Sequence, residues 1–192
     1  FAVRRLSEGF EDEAWIQHVA SPMMHAAVGQ LMWPCDLCTL DGGFMVVRES
    51  THRWSMLSQH RAMVGARLPI MTTAVGRAYF AACSTEERRA ILELLALRKD
   101  EVGELARDRP YMGRVVRETR RRGHAINNGE MAGEAEFAAV AVPVHAAGHL
   151  AAAINVIFPV GACTTQEAAK RFVPPLKRLA QSIGKASAEY FS

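Results

Sequence analysis

Two apolar stretches in the last third of the chain constrain the fold most. Phe137 to Val144 and Leu150 to Phe158 are long, rich in Ala and Val, and joined by Ala146-Ala147-Gly148. Such runs separated by a short glycine-containing turn predict paired strands. A shorter strand, His124 to Asn128, is expected before them. A second hairpin is expected upstream: Trp33 to Leu40 extends, Asp41-Gly42-Gly43 turns, and Phe44 to Glu49 returns. The stretch at 51–60, THRWSMLSQH, reads as a loop or a short third strand whose polar residues are of the kind that face a ligand.

Helices surround these strands. In 11–32, Trp15, Val19, Met23 and Ala26 fall at helical spacing, and Ser21-Pro22 reads as a cap followed by Pro at the first helical position, a kink or restart. One helix should begin at Thr72 or Thr73 and end near Cys83. Ser84-Thr85-Glu86-Glu87 carries a capping-box signature for the next. Asp108 and Pro110 open a third, which stops at Gly123 after Arg120 to Arg122; cations there suit a helix C-terminus better than a DNA-binding patch. Thr164 and Glu167 form another capping box before a last helix, with Pro174-Pro175 expected to bend it. The order of helix, strands, helices, strands, helix gives an α+β fold with a mostly antiparallel sheet flanked by helices.

Composition narrows the function classes. With 192 residues and 49% of them hydrophobic, the chain can bury a proper core without disulfides or metal. A net charge of +3 is too small to argue for nucleic acid. No apolar run approaches the roughly 20 residues of a membrane span. The chain opens FAVRRLSEGF, with neither an initiator Met nor a leader pattern, so a cytoplasmic fragment of a longer protein is expected.

Catalytic signatures are sparse. Cys35-x-x-Cys38 could be redox-active or half a zinc site, but on a strand the two thiols point to opposite faces, and no second CxxC or CxxH partner exists. The seven histidines are scattered; His52 and His60 flank the 51–60 loop as possible pocket residues, while His145 and His149 bracket a turn and should be exposed. Glu130, Glu134 and Glu136 read as a solvated acidic loop, with Glu130 the exception to watch. The most informative segment is LPIMTTAVGRA at 68–78. A helix starting at Thr72-Thr73 leaves first-turn amides unpaired, which suits a small anion such as a carboxylate; an ordinary capped helix is the competing reading. Gly76 would let that helix pack closely on the sheet.

VGARLPIMTTAVGRAYFAACSTEER (64–88) and GEMAGEAEFAAVAVPVHAAGHLAAAINVIFP (129–159) resemble the signature segments of the IclR-family effector domain. VRRLSEGFEDEAW (3–15) resembles the helix linking such a domain to its DNA-binding half. The segments at 33–58 and 61–70 are most similar to the MhpR-like subgroup for aromatic acid catabolism. The resemblance implies a GAF-like effector-binding domain over 13–192, with 1–12 the end of an interdomain linker helix and the N-terminal winged helix-turn-helix absent from this chain. Dimers or tetramers, an aromatic or other small carboxylic acid as effector, and operator DNA reached only through the missing domain follow from it. No cofactor, metal or membrane is implied. The resemblance places the helix-start amides at Thr73, Ala74 and Val75, the acidic-loop position at Gly129 or Glu130, and strand positions at Phe137, Ala139, Asn155 and Ile157. Leu68 and Phe137 would offer apolar walls and Asn155 a polar handle, with Trp54, Met56 and Arg48 as further candidates. The competing expectations are a GAF-like thiol or redox enzyme using Cys35, Cys38 or Cys83, and an oligomerisation module without a ligand.

Overall fold

A computed structural model describes residues 14–59 and 62–191. A π-helical turn (Ile16–Ala20) leads into α1 (Ser21–Leu31), followed by the hairpin β1 (Cys35–Asp41) and β2 (Phe44–Ser50) and the short β3 (Arg67–Pro69). Four helices come next: α2 (Ala74–Ala82), α3 (Thr85–Ala96), α4 (Glu101–Arg107) and α5 (Arg109–Arg122). The chain returns through β4 (Ala125–Asn128), β5 (Phe137–Ala146) and β6 (His149–Pro159), then α6 (Thr165–Ala186) and a 3-10 turn (Ala188–Phe191). The six strands form one sheet in the order β3-β2-β1-β6-β5-β4, every neighbouring pair antiparallel.

Both long hairpins close with two-residue turns in which both residues have positive φ. These are Gly42 (+56°) with Gly43 (+80°), and Ala147 (+48°) with Gly148 (+82°). That backbone matches the right-handed twist of the flanking strands, and glycine adopts it without a Cβ penalty.

Strand alternation divides the core in two. Along β5, Ala138, Val140, Val142 and Val144 face one side, where α1 and α6 lay Met24, Leu31, Phe172, Leu176 and Ile183 against them. Ala139 and Ala141, with Ala153 of β6, face the other side among Ala74, Val75, Ala78 and Tyr79 of α2. Small strand residues there let α2 lie close to the sheet.

Local departures from the sequence reading have physical causes. Ser21 is helical and makes no side-chain cap; instead its N–H reaches the Ile16 carbonyl in a π-turn. Pro22 lacks the N–H that an i−4 bond needs, and the widened turn absorbs it without ending the helix. Ser84 caps α3 through the Glu87 N–H, but the Glu87 carboxylate turns away to accept from the Tyr79 hydroxyl at 2.6 Å. The box around Thr164 is complete in both directions, and α6 runs unbroken through Pro174-Pro175. Gly76 abuts the backbone before its own helix and not the sheet: a Cβ there would lie 2.1 Å from the Ile70 carbonyl oxygen.

Candidate functional site

The start of α2 is built by Thr73. Its extended backbone (φ −110°, ψ 153°) ends the approach from β3, and its hydroxyl accepts from the Gly76 N–H at 3.2 Å while donating to the Pro69 carbonyl at 2.7 Å. The cap therefore satisfies one of the four orphan donors, and the first-turn amides of Ala74 and Val75 remain without an intrahelical acceptor. The carbonyl of Thr72 accepts from the Asn127 side-chain amide, which ties this turn to β4.

Thr73 and Ala74 form one wall of a cleft of about 550 Å³, its open mouth included. Leu68 of β3, Met63, Met131 and Phe137 supply apolar walls, and the sheet contributes Ala139 and Ile157. Polar groups are few: Asp36, His52, Asn127, Glu134 and Asn155. A mostly apolar cavity with a handful of polar groups is the usual form of a small-molecule site.

Asp36 is the most unusual of these groups. It is fully buried on β1, and its N–H donates to the Asn155 Oδ1 at 2.9 Å. Neither oxygen of its carboxylate has a hydrogen-bond partner. The His52 ring approaches it, with Nε2 3.7 Å from Oδ1, beyond hydrogen-bond distance. His52 Nδ1 is 2.6 Å from the Ser58 Oγ.

Glu130 stands outside the cleft. Both its carboxylate oxygens meet the Arg77 guanidinium, at 2.5 and 3.1 Å. Arg77 is itself buried on α2 and also donates to the carbonyls of Met71 and Ile126 and to the Tyr111 hydroxyl. One side chain thereby fastens the helix start, β4, α5 and the acidic loop together. Burial opposes charge on Glu130, yet the Arg77 bonds outweigh it and hold the carboxyl below its ordinary range.

A family model of the bacterial transcriptional regulator IclR C-terminal domain matches residues 11–185. The chain belongs to this family. Its fold is that of solved relatives: a crystal structure of an IclR-family transcriptional regulator from Brucella abortus has a TM-score of 0.76 at 24% identity, covering 96% of this chain and 68% of that one. The PobR inducer-binding domain from Acinetobacter, a double mutant in complex with 3-hydroxybenzoic acid, has a TM-score of 0.71 at 21% identity, covering 88% and 97%. The Pca regulon regulatory protein of Pseudomonas putida is 28% identical over 158 residues, 82% of this chain and 53% of that protein. The chain thus spans about half the length of that curated relative.

Within this IclR effector-binding domain, the structure brings Leu68, Thr73, Ala74, Phe137, Ala139, Asn155 and Ile157 together around the cleft. The other expected site residues lie elsewhere. The Val75 side chain is buried in the core beneath α2. Glu130 is held outward by Arg77. Arg48 donates to the Thr39 hydroxyl at 2.9 Å and does not line the cleft. Trp54 is half exposed, against His25 at a 3.8 Å ring-centroid distance, beside a separate depression. Met56 is 97% exposed, because the 51–59 loop turns outward there. The residues that the sequence reading missed are Asp36, Met63 and Met131, and it placed Asn127 on a short strand and Glu134 in a solvated loop without assigning either to the pocket. Alternation along β1 was the available signal for Asp36, since Cys35 and Leu37 face α6 and Asp36 must face the other side. Residues 1–12, expected to end a linker helix, and His60 lie outside the described residues.

The thiol chemistry has little support. Cys35 and Cys38 sit in the two separate halves of the core, as opposite strand faces require. Burial and the neighbouring Asp36 push both thiols well above their ordinary range, and burial pushes Cys83 up to about 11. An activated cysteine needs the reverse shift. Among the described residues no group of three or more His, Cys, Asp or Glu is arranged to hold a metal ion, and no helix is long and apolar enough to cross a membrane.

Proposed function

We propose that this domain senses a small organic acid, best fitted by an aromatic one, and that the acid binds with its carboxylate at the start of α2 and its body in the cleft. The observation that carries this reading is the opening of an α-helical first turn, Thr73–Ala74, directly onto an apolar cavity. First-turn amides and the helix dipole favour an anion, and the cavity walls remove its apolar body from water. The named properties of two relatives support the same direction: one complex holds 3-hydroxybenzoic acid, and the other relative regulates the Pca regulon.

The whole protein would be a cytoplasmic, non-enzymatic transcription regulator. An N-terminal winged helix-turn-helix, joined through a linker ending at 1–12, would contact the operator. Copies of this domain would pair as dimers or tetramers. An acid that binds one arrangement of the copies better than another shifts the balance between them, and with it the placing of the DNA-binding arms.

Thermal unfolding in the presence of paired ligands tests the binding step. Benzoate and related acids at about 100 times their Kd should raise the Tm by about 5–10 °C. The neutral amides should do so far less, because they lack the charge that the helix start attracts. If no carboxylate stabilises the domain, the reading fails.

A further inference from the structure

Charge is unevenly placed along this chain, and α5 carries the excess. We infer that α5 docks on the phosphate backbone of double-stranded DNA through Arg114, Arg117 and Arg121, without reading its sequence. This contact lies apart from the cleft and does not depend on acid sensing. It would add a sequence-independent hold to the base contacts expected of the N-terminal domain.

α5 holds six arginines and one glutamate, more positive charge than the net +3 of the whole chain. The helix macrodipole accounts for the arginines of the last turn, Arg120 to Arg122. It does not account for Arg114 and Arg117 in the middle, and it opposes Arg109 at the N-terminal end. Ion pairing does not account for them either. Glu118 pairs with Arg122 at 3.0 Å, and among the described residues no acidic side chain pairs with the other five. Arg114, Arg117 and Arg121 follow one another at spacings of three and four, all exposed, on the side of the helix opposite the buried Met112. Like charges at those spacings destabilise a helix, so α5 keeps this stripe against its own stability. Exposed Lys177 of α6 extends the positive surface at the C-terminal end, where a Cβ on Gly123 would lie 2.9 Å from its Nζ. Burial, with the Lys177 and Arg122 charges adding to it, pulls the His124 pKa down against the opposite effect of the Arg122 carbonyl.

Duplex phosphates fit the stripe better than an acidic protein does. Arg114 to Arg121 span about 10 Å of helix axis, and one strand of duplex sets about three phosphates over that length. A protein partner needs an apolar or aromatic centre, and no large hydrophobic side chain of α5 is exposed. Arginine contacts to phosphate fix position and carry no sequence information, and α5 has neither Asn nor Gln to read adenine.

Fluorescence anisotropy of the 192-residue chain with a labelled duplex of arbitrary sequence tests the inference. Three phosphate contacts predict a slope of about −2.7 for log K against log salt concentration, a loss of about 40-fold between about 50 and 200 mM. Arg117→Ala combined with Arg121→Ala should flatten the slope to about −0.9. Arg117→Lys combined with Arg121→Lys should keep it near −2.7, since the charge stays. Arg89→Ala removes a positive charge from α3 and should leave the slope unaltered. Without DNA, the alanine pair should unfold at an equal or higher Tm, because it relieves like-charge repulsion; a lower Tm with an unchanged slope would make these arginines part of the fold and overturn the inference. Absence of binding at about 50 mM salt would overturn it as well. So would tighter binding of poly-glutamate than of the duplex, or a preference of about tenfold between two duplexes of unrelated sequence. If the alanine pair does not fold, Arg121→Ala alone decides, with an expected slope of about −1.8. None of these outcomes bears on acid sensing, which the thermal shifts with benzoate test by themselves.

Discussion

The two faces of the central hairpin carry the same strands to opposite ends. On the α6 side, β5 presents Val140, Val142 and Val144, and the facing helix packs Phe172, Leu176 and Ile183 against them. On the α2 side the strands present Ala139, Ala141 and Ala153 to the helix, and Ala139 also lines the cleft. Beyond the start of α2, Ala139 opens into the cleft, where the Asp36 carboxyl group lies buried without a hydrogen-bond partner. A face packed with large apolar side chains contributes stability. A face with small residues and a buried carboxyl group without hydrogen bonds gives up stability for a binding site, which is where departures from good packing are expected.

The largest test of this contrast is Phe172→Ala. Phe172 is 1% exposed and packs on Phe158 at a ring-centroid distance of 6.2 Å. Truncation should cost about 3–5 kcal/mol, read as a lower urea midpoint. Effector affinity of the folded variant should change little, because Phe172 does not line the cleft and only Ala138 of that face reaches it. A large loss of affinity would show that the faces are not independent.

Gly76→Ala probes the other face. The added Cβ would overlap the Ile70 backbone, so the segment entering α2 must shift. Overpacking of this kind costs about 1–3 kcal/mol, less than the Phe172 truncation. Acid binding should nevertheless fall sharply, since the displaced segment ends at Thr73 and Ala74. The comparison is broken if Gly76→Ala destabilises the domain while leaving the Kd for benzoate unaltered.

Much of the fold was legible because local chemistry and tertiary placement agree. Gly42-Gly43 and Ala147-Gly148 mark the turns, Thr73, Asp108 and Thr164 cap their helices, and Gly123 ends α5 with a positive φ. α4 was not legible: Glu101–Arg107 has seven residues with Gly103 in its middle, too short for a helical period to declare itself. There the glycine is required by packing, since a Cβ would meet the Arg98 carbonyl oxygen at 2.2 Å. The site divides in the same way. Thr73 and Ala74 follow from the helix start, which is local. Asp36 sits between Cys35 and Leu37 in a strand where attention falls on the cysteines. Glu130 reads as an acid near the pocket, and only the fold shows Arg77, 53 residues away, turning it outward. Charge pairs across such separations leave no mark in a local pattern.

That pair gives the smallest and most specific test. The Glu130 side chain is 45% exposed while that of Arg77 is 9% exposed, so the bridge is partly screened and Glu130→Gln should cost about 1 kcal/mol or less at neutral pH. Its pH dependence identifies it. Burial works against charge on Glu130, but the Arg77 bonds and the Asn128 N–H leave the folded-state pKa below the ordinary value of 4.5. A depressed carboxyl stabilises the folded state above its unfolded pKa, and that contribution disappears as pH falls through the folded one. The difference in urea midpoint between the unaltered chain and Glu130→Gln should therefore be constant near neutrality and shrink on acidification below the unfolded value of 4.5. Affinity for an acid should change little, because Glu130 lies outside the cleft that Arg77 helps to shape. A difference that stays constant into acid would mean that Glu130 is not held as an ion by Arg77. A strong loss of acid binding in Glu130→Gln would move the acidic loop from the scaffold of the site into the site itself.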